Sequence, residues 1–291
     1  QNSQGLPPSQ LKYFQGVMDV NAPDSVAQQI WANCQHGTAW FFAWHRLYLK
    51  YFEKQLQAAS GDPNLRLPYW DYTNPSQLAM PTVYTSPNYT SAGKSIANPL
   101  YEWRRAPGWT ASKGKPAQLR SASTNIDQFL KDASWDKFQD DIEWGVHGYV
   151  HCSVAVTCPV VDMGSVPYSS NDPIFWSHHA NIDRMWTCWA NIDGHKNPND
   201  PGFPSTIRYI SGYDNSGNPI YSTTSTIDFM NQQFSFVGPD GQLVTNKISD
   251  LFKPGFIDYR YEQETSCGRT PSAQLVASAA AMTVADNSGA S

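Results

Sequence analysis

The chain has 291 residues, of which 40% are hydrophobic, 13% aromatic and 15% charged, with a formal net charge of −5. So few charges beside so many aromatics exclude a disordered chain and supply a large core. No basic run offers itself to a phosphate backbone, so no nucleic-acid partner is expected. The longest notable apolar stretch, Ala39 to Trp44, falls far short of the roughly 20 residues that a membrane helix needs.

Residues 1–10 are polar and read as a strap. Leu11 to Met18 has Leu11, Phe14 and Met18 on one helical face, and Pro23-Asp24-Ser25 reads as a helix start before Val26 to Trp31. Phe41 to Gln57 is a stronger helix: His45, Leu49, Phe52 and Leu56 share a stripe, and Gly61-Asp62-Pro63 ends it. Residues 68–120 lack a sustained period and read as long surface loop. Thr124 is expected to cap a helix through Leu130, and Ser134 another from Trp135 to about His151. Residues 152–170 read as loop, and Pro173 to about Asn191 as helix. Residues 200–265 alternate turn signals with short β-prone runs, so short strands are expected there. Ala273 to Ala285 is a docked helix or a loose tail.

Of the cysteines Cys34, Cys152, Cys158, Cys188 and Cys267, one stays unpaired if the others form two disulfides. With the sequon Asn88-Tyr89-Thr90 and a start at Gln1, as in a processed chain, they predict a secreted or otherwise exported protein.

The histidines carry the chemistry. His147 and His151, at i and i+4, turn about 400° around a helix and so share one face. A third nitrogen from the following helix would complete a pocket with an open position, as a reactive metal needs. His179 shares its stripe with Ile182 and Trp186, so it is the expected ligand and His178 a supporting ring. His36 and His45 are nine residues apart, about 900° on one helix and therefore on opposite faces. They share an ion only if His36 precedes the helix, and Gly37 supports a break there. Imidazole suits zinc, copper, iron and nickel alike, so the donors alone do not choose the metal.

The segments His36-Gly-Thr-Ala-Trp-Phe-Phe-Ala-Trp-His45-Arg46, Glu143-Trp-Gly-Val-His147-Gly148-Tyr-Val-His151 and Asp172-Pro173-Ile-Phe175-Trp-Ser-His178-His179-Ala-Asn181-Ile-Asp183-Arg184-Met-Trp186 resemble the type-3 copper proteins: tyrosinases, catechol oxidases and haemocyanin units. The third segment is the most specific. Leu67-Pro68-Tyr69-Trp70-Asp71-Tyr72, Asp162-Met163-Gly164 and Tyr259-Arg260-Tyr261 agree, so the resemblance runs from about residue 11 to 262. It implies a mainly α fold, a four-helix bundle enclosing a dinuclear copper site, with long loops and a few short strands. It assigns residues 1–262 to a catalytic domain and 263–291 to a C-terminal tail or docked extension. It implies two copper ions, each held by three histidines, that use O2 to oxidise small phenolic substrates, o-diphenols, to o-quinones. By position, His147, His151 and His179 match the second copper's ligands, and His36 and His45 two of the first's. Cys34 falls where many members crosslink a cysteine sulfur to the His36 ring. Phe175 matches the ring over the copper pair, Val166 the gate, and Glu143 the acid that holds a water near the second copper. A carboxylate there could equally accept a phenol proton. Arg46, Asp172, Asp183 and Arg184 are expected to pair their charges or fix ligand tautomers.

Two departures stand out. Residues 1–35 contain no histidine, although the family places a third ligand of the first copper upstream of His36. A loop bearing it could lie outside this chain; Gln28, Gln29 or Asn33 could stand in; or the first pocket is weak or empty. His195 is a remote candidate in a loop expected to be exposed. Gly148 stands where monophenol-active members often carry Asn, so o-diphenol oxidation is the expectation and monophenol hydroxylation weak or absent. The rival classes are a silent or one-copper relative, acting as an O2 carrier or structural metal protein, and a zinc hydrolase built on His147, His151, His179 and Glu143.

Overall fold

In the computed structural model, the described residues are 34–102, 105–109, 117–158, 162–166 and 168–262. The helices expected at 11–18 and 26–31, the tail at 273–285, and Gln28, Gln29, Asn33 and Cys267 lie outside them. Helix α1 runs Phe41–Ser60 and ends where Gly61 takes a left-handed φ of 71° and its N–H returns to the Gln57 carbonyl at 2.9 Å. Its buried residues include Phe41, Phe42, Trp44, His45, Leu47 and Leu49.

The long loop that follows holds a helical turn, α2 (Thr82–Thr85), and an exposed hairpin, β1 (Asn88–Ser91) with β2 (Lys94–Ala97). A short helix, α3, spans Ser121–Thr124. The helix expected from Thr124 to Leu130 does not form. Thr124 ends α3, Asn125 is extended (ψ 117°) and its side chain accepts the Asp127 N–H at 2.8 Å, leaving a 3-10 turn at Phe129–Lys131. A local Asx hydrogen bond outcompetes the helix there.

Ser134 caps α4 (Trp135–Asp141) as expected, its Oγ accepting the Lys137 N–H at 3.3 Å. The helix continues through a π-helical segment, Ile142–His147, into α5 (Gly148–Val154). Helix α6 spans Ile174–Ala190 and packs on α1. Then come the antiparallel pair β3 (Thr206–Tyr213) and β4 (Pro219–Ser225), helix α7 (Thr226–Asn231), and the pair β5 (Gln233–Val237) and β6 (Leu243–Lys247). The fold is mainly helical, with long loops and short strands.

Aromatic rings fill the space between the helices: Phe42 stacks on Phe138 at 5.3 Å and Phe138 on Trp189 at 5.0 Å. Side chains of one helix also pair the edge of β3. Asp136 accepts the Arg208 N–H at 3.0 Å, Asp140 accepts the Ile210 N–H at 2.8 Å, and Trp144 donates to the Ile210 carbonyl at 3.2 Å. Cys152 and Cys158 form a disulfide, Cys188 is disulfide-bonded, and Cys34 is free. Among the described residues no helix is long and apolar enough to cross a membrane.

Candidate metal centre

Two groups of potential ligands form: His147, His151, His178 and His179, all buried, and Cys34, His36 and His45. The helices bring them together by the expected spacing. His147 closes the π segment and His151 lies one α-turn on, with ring centroids 4.6 Å apart. The two groups interleave: His45 stacks on His179 at 4.4 Å, and His36 on His147 at 5.4 Å. His36 does precede α1, and Gly37, at φ 63°, makes the break that turns its ring toward His45.

Backbone carbonyls set the tautomers. Nδ1 of His45 meets the Phe41 carbonyl at 2.7 Å, that of His147 the Glu143 carbonyl at 3.0 Å, and that of His151 the Met163 carbonyl at 2.5 Å. A carbonyl only accepts, so each Nδ1 carries the proton and each Nε2 keeps its lone pair. Burial, with neighbouring imidazoles adding to it, holds His45, His147 and His179 well below the usual histidine range, and His36 at about 3. Burial likewise lowers His151 to about 4. Neutral rings with free Nε2 atoms are what a metal requires.

The fit to an ion is direct in the second group. His151 Nε2 and His179 Nε2 lie 3.1 Å apart, the spacing of two nitrogens that each sit about 2 Å from one ion at near-tetrahedral angles. His147 Nε2 is buried and lacks a partner. His178 is turned differently: its Nδ1 meets the Tyr72 hydroxyl at 2.8 Å and its ring stacks on His147 at 5.5 Å. In the first group Cys34 Sγ lies 3.6 Å from His36 Nδ1 and 3.8 Å from His45 Nε2. That pocket offers two imidazoles and a sulfur among the described residues.

Residues 9–192, more than half of the chain, match the family described as the common central domain of tyrosinase. The chain belongs to the tyrosinase family. It is 29% identical over 223 residues to the tyrosinase HcTyr1 of Hahella sp. (strain CCB-MM4), covering 66% of this chain and 45% of the relative. It is 29% identical over 271 residues to a chloroplastic polyphenol oxidase of Vitis vinifera, covering 86% of this chain and 40% of that one. The chain thus spans less than half the length of these relatives. The crystal structure of Grenache (Vitis vinifera) polyphenol oxidase superposes with a TM-score of 0.57 at 24% identity, over 81% of this chain and 68% of that one. The tyrosinase family binds two copper ions, and the buried histidines fit that cofactor. The zinc reading falls with this membership.

The remaining expected site residues fall as follows. Glu143 is buried; its Oε1 accepts the Gly37 N–H at 2.5 Å and its Oε2 is buried without a partner. Burial, aided by Asp140, raises it well above the usual carboxylate range. Phe175 is buried, its ring 4.1 Å from that of His179. Val166 is 45% exposed, on the segment whose Met163 carbonyl holds His151. His195 is half-buried rather than exposed, and its Nδ1 meets the Trp189 carbonyl at 2.9 Å. It satisfies the end of α6 and joins neither group.

The charged residues pair but set none of these tautomers. Arg46 bonds Asp183 at 2.5 Å, Asp183 also accepts the hydroxyls of Tyr259 and Tyr261, Arg184 bonds Asp71, and Arg105 bonds Asp172. They tie α1 to α6, tie α6 to the loops through Asp71, Tyr259 and Tyr261, and join the loops carrying Arg105 and Asp172. Sequence reasoning missed the carbonyls of Phe41 and Met163, which no side-chain pattern encodes. It also gave Tyr72 no role, although Tyr72 stands in a quoted motif.

Proposed function

We propose that this tyrosinase-family chain is a copper-dependent catechol oxidase, turning o-diphenols into o-quinones, and o-aminophenols into o-quinone imines, with O2, with monophenol hydroxylation weak or absent. The observation that carries this reading is the stacking of His45 on His179, which sets two ligand groups face to face. In this reading His147, His151 and His179 hold the second ion, and His36 and His45 the first. Cys34 is crosslinked to His36, Val166 gates the entrance, and the ligands sit in a four-helix bundle within a catalytic domain of residues 1–262. Bound copper would supply the redox chemistry and the O2 site. The chain's own residues bind and orient. Phe175 and the buried rings exclude water, and the unpartnered Oε2 of Glu143 receives the phenol proton. The disulfide-bonded cysteines support an exported protein, since disulfides persist in oxidising compartments. The test is copper per chain together with oxygen uptake on catechol: two ions with quinone formation are expected.

A second reading is a silent or one-copper relative. It is favoured by the first group, where, among the described residues, two imidazoles stand beside Cys34. It requires one ion per chain and no oxygen uptake.

A further inference from the structure

The Cys152–Cys158 disulfide has no part in the chemistry above, yet it closes directly beside a candidate ligand. Cys152 follows His151 near the end of α5. At the far end of the loop, Cys158 Sγ lies 3.9 Å from the Gly164 carbonyl. A Cβ on Gly164 would stand 2.8 Å from the Thr157 carbonyl oxygen, 2.9 Å from Ala155 Cβ and 3.0 Å from Cys158 Cα, all inside the contact distance of about 3.5–4.0 Å. Only a residue without a side chain rests so closely against the disulfide loop. The residue before it, Met163, is buried and gives its carbonyl to His151 Nδ1 at 2.5 Å. One residue earlier, Asp162 has φ 46°, a left-handed conformation that a residue with a Cβ keeps only where its surroundings impose it. The loop itself is anchored from outside: the Ala106 N–H donates to the Val154 carbonyl at 2.8 Å and Trp109 Nε1 to the Ser153 carbonyl at 2.7 Å.

We propose that the Cys152–Cys158 disulfide and Gly164 form a clasp that positions His151: the disulfide loop holds Gly164, Gly164 fixes the Met163 carbonyl, and that carbonyl aims the His151 Nε2 lone pair at the second metal position. These are positioning residues, and the inference rests on the reading of His151 as a ligand. Retention of the second ion then depends on thiol redox state. An external dithiol that gives two electrons and two protons converts the bridge to two thiols, becomes a disulfide itself, and releases the clasp.

The test titrates cuprous ion against a competing chromogenic chelator in the wild-type chain, in the Cys152→Ser/Cys158→Ser variant and in Gly164→Ala. In parallel, NMR follows the His151 ring N–H in the metal-free proteins. The second ion is identified as the one lost in His179→Asn. Both clasp variants are expected to hold that ion about 10–100-fold more weakly, the usual effect of losing the group that orients a ligand ring. The His151 Nδ1–H signal, sharp in the wild-type chain, should broaden. If the double-serine variant does not fold, Gly164→Ala carries the test with the disulfide intact. Gly145→Ala, whose Cβ meets nothing within 4 Å, is its control. Unchanged affinity with an unchanged ring signal overturns the clasp. So does a joint fall in melting temperature and metal affinity with the ring signal intact, which would make the disulfide a general stabiliser. A wild-type chain that binds no copper fails the metal reading instead, and the ring signal still decides the clasp.

Discussion

The backbone N–H of Gly37 donates to Oε1 of Glu143 at 2.5 Å. One carboxylate thereby ties the loop that carries His36 to the helix that carries His147, and its other oxygen stays buried and unpartnered. Glu143→Gln keeps the acceptor for Gly37 but removes the proton acceptor. It should leave the copper content unchanged and lower catechol turnover about 100-fold, the lower range for loss of a general base. Because burial raises Glu143 well above its ordinary range, the carboxylate forms only at higher pH. Wild-type turnover should therefore fall as pH drops through that raised value, and the variant should lose this limb. Steady-state rates across pH for both proteins check it; an unaltered acidic limb in the variant would remove Glu143 from the chemistry.

Asp140 holds the edge of β3 from a buried position, and burial, more than its neighbours, lifts it to about 6 from 3.8. The folded chain thus binds this proton more tightly than the unfolded one. The stability linked to it is complete below about pH 4 and is lost as pH rises through about 6. Asp140→Asn retains the acceptor for the Ile210 N–H and never ionises. Its melting temperature should exceed the wild type's at pH 8 by the equivalent of about 1–2 kcal/mol, a discounted share of a two-unit shift, and match it near pH 4. Calorimetry at the two pH values measures this.

A Cβ added at Gly148 would sit 3.7 Å from the Glu143 carbonyl, an ordinary contact. A Cβ fits there, so packing at that first atom does not require the glycine. The wild-type chain should turn over catechol well above a monophenol, and Gly148→Asn should raise the monophenol rate without loss of copper. Equal wild-type rates on both substrates without a lag would refute the expectation.

The parts of the fold legible in the sequence are those with strong periodic or capping signals. The helices expected at Phe41 to Gln57, with its glycine stop, and at Pro173 to about Asn191 came from helical stripes, and they form as Phe41–Ser60 and Ile174–Ala190. Trp135 onward came from the Ser134 cap. The π segment at Ile142–His147 was illegible, because the same i, i+4 spacing serves either helix. Thr124 misled because a threonine before an apolar run reads as a cap, while the Asn125 side chain turned the chain instead. In the site, the ligand rings announced themselves through paired histidines on separate helices. What orients them is main-chain oxygen from Phe41, Glu143 and Met163, and main chain has no letter of its own. The long-range pairings of Arg46, Arg105 and Arg184 were likewise beyond reach: charge type is visible in a sequence, but partners across a fold are not.

Arg105 and Asp172 pair at 2.6 Å with both side chains almost wholly buried, and Asp172 also accepts the Ile174 N–H at 3.0 Å where α6 begins. Removing one charge strands the other away from water. Arg105→Met should cost about 3–5 kcal/mol of unfolding free energy, the range for breaking a buried pair. Arg105→Met with Asp172→Asn should recover much of it. Urea unfolding of the three proteins measures the difference, and a single variant no less stable than the double would show that Asp172 is not stranded.

His178 and His179 are adjacent and both wholly buried, yet they face different partners. His179 Nε2 meets His151 Nε2 at 3.1 Å, whereas His178 Nδ1 is engaged by the Tyr72 hydroxyl at 2.8 Å. Successive positions on a helix point about 100° apart, and it is the Nε2 of His179 that lies against that of His151. His179→Asn should release one copper per chain and abolish catechol oxidation. His178→Asn should keep full copper content and lower turnover only modestly, because the Tyr72 contact and the stacking on His147 are lost while the ligands remain. Copper per chain after dialysis against a chelator decides between them: loss from His178→Asn with retention in His179→Asn would exchange the two roles and move the second ion to the Tyr72 side of the helix.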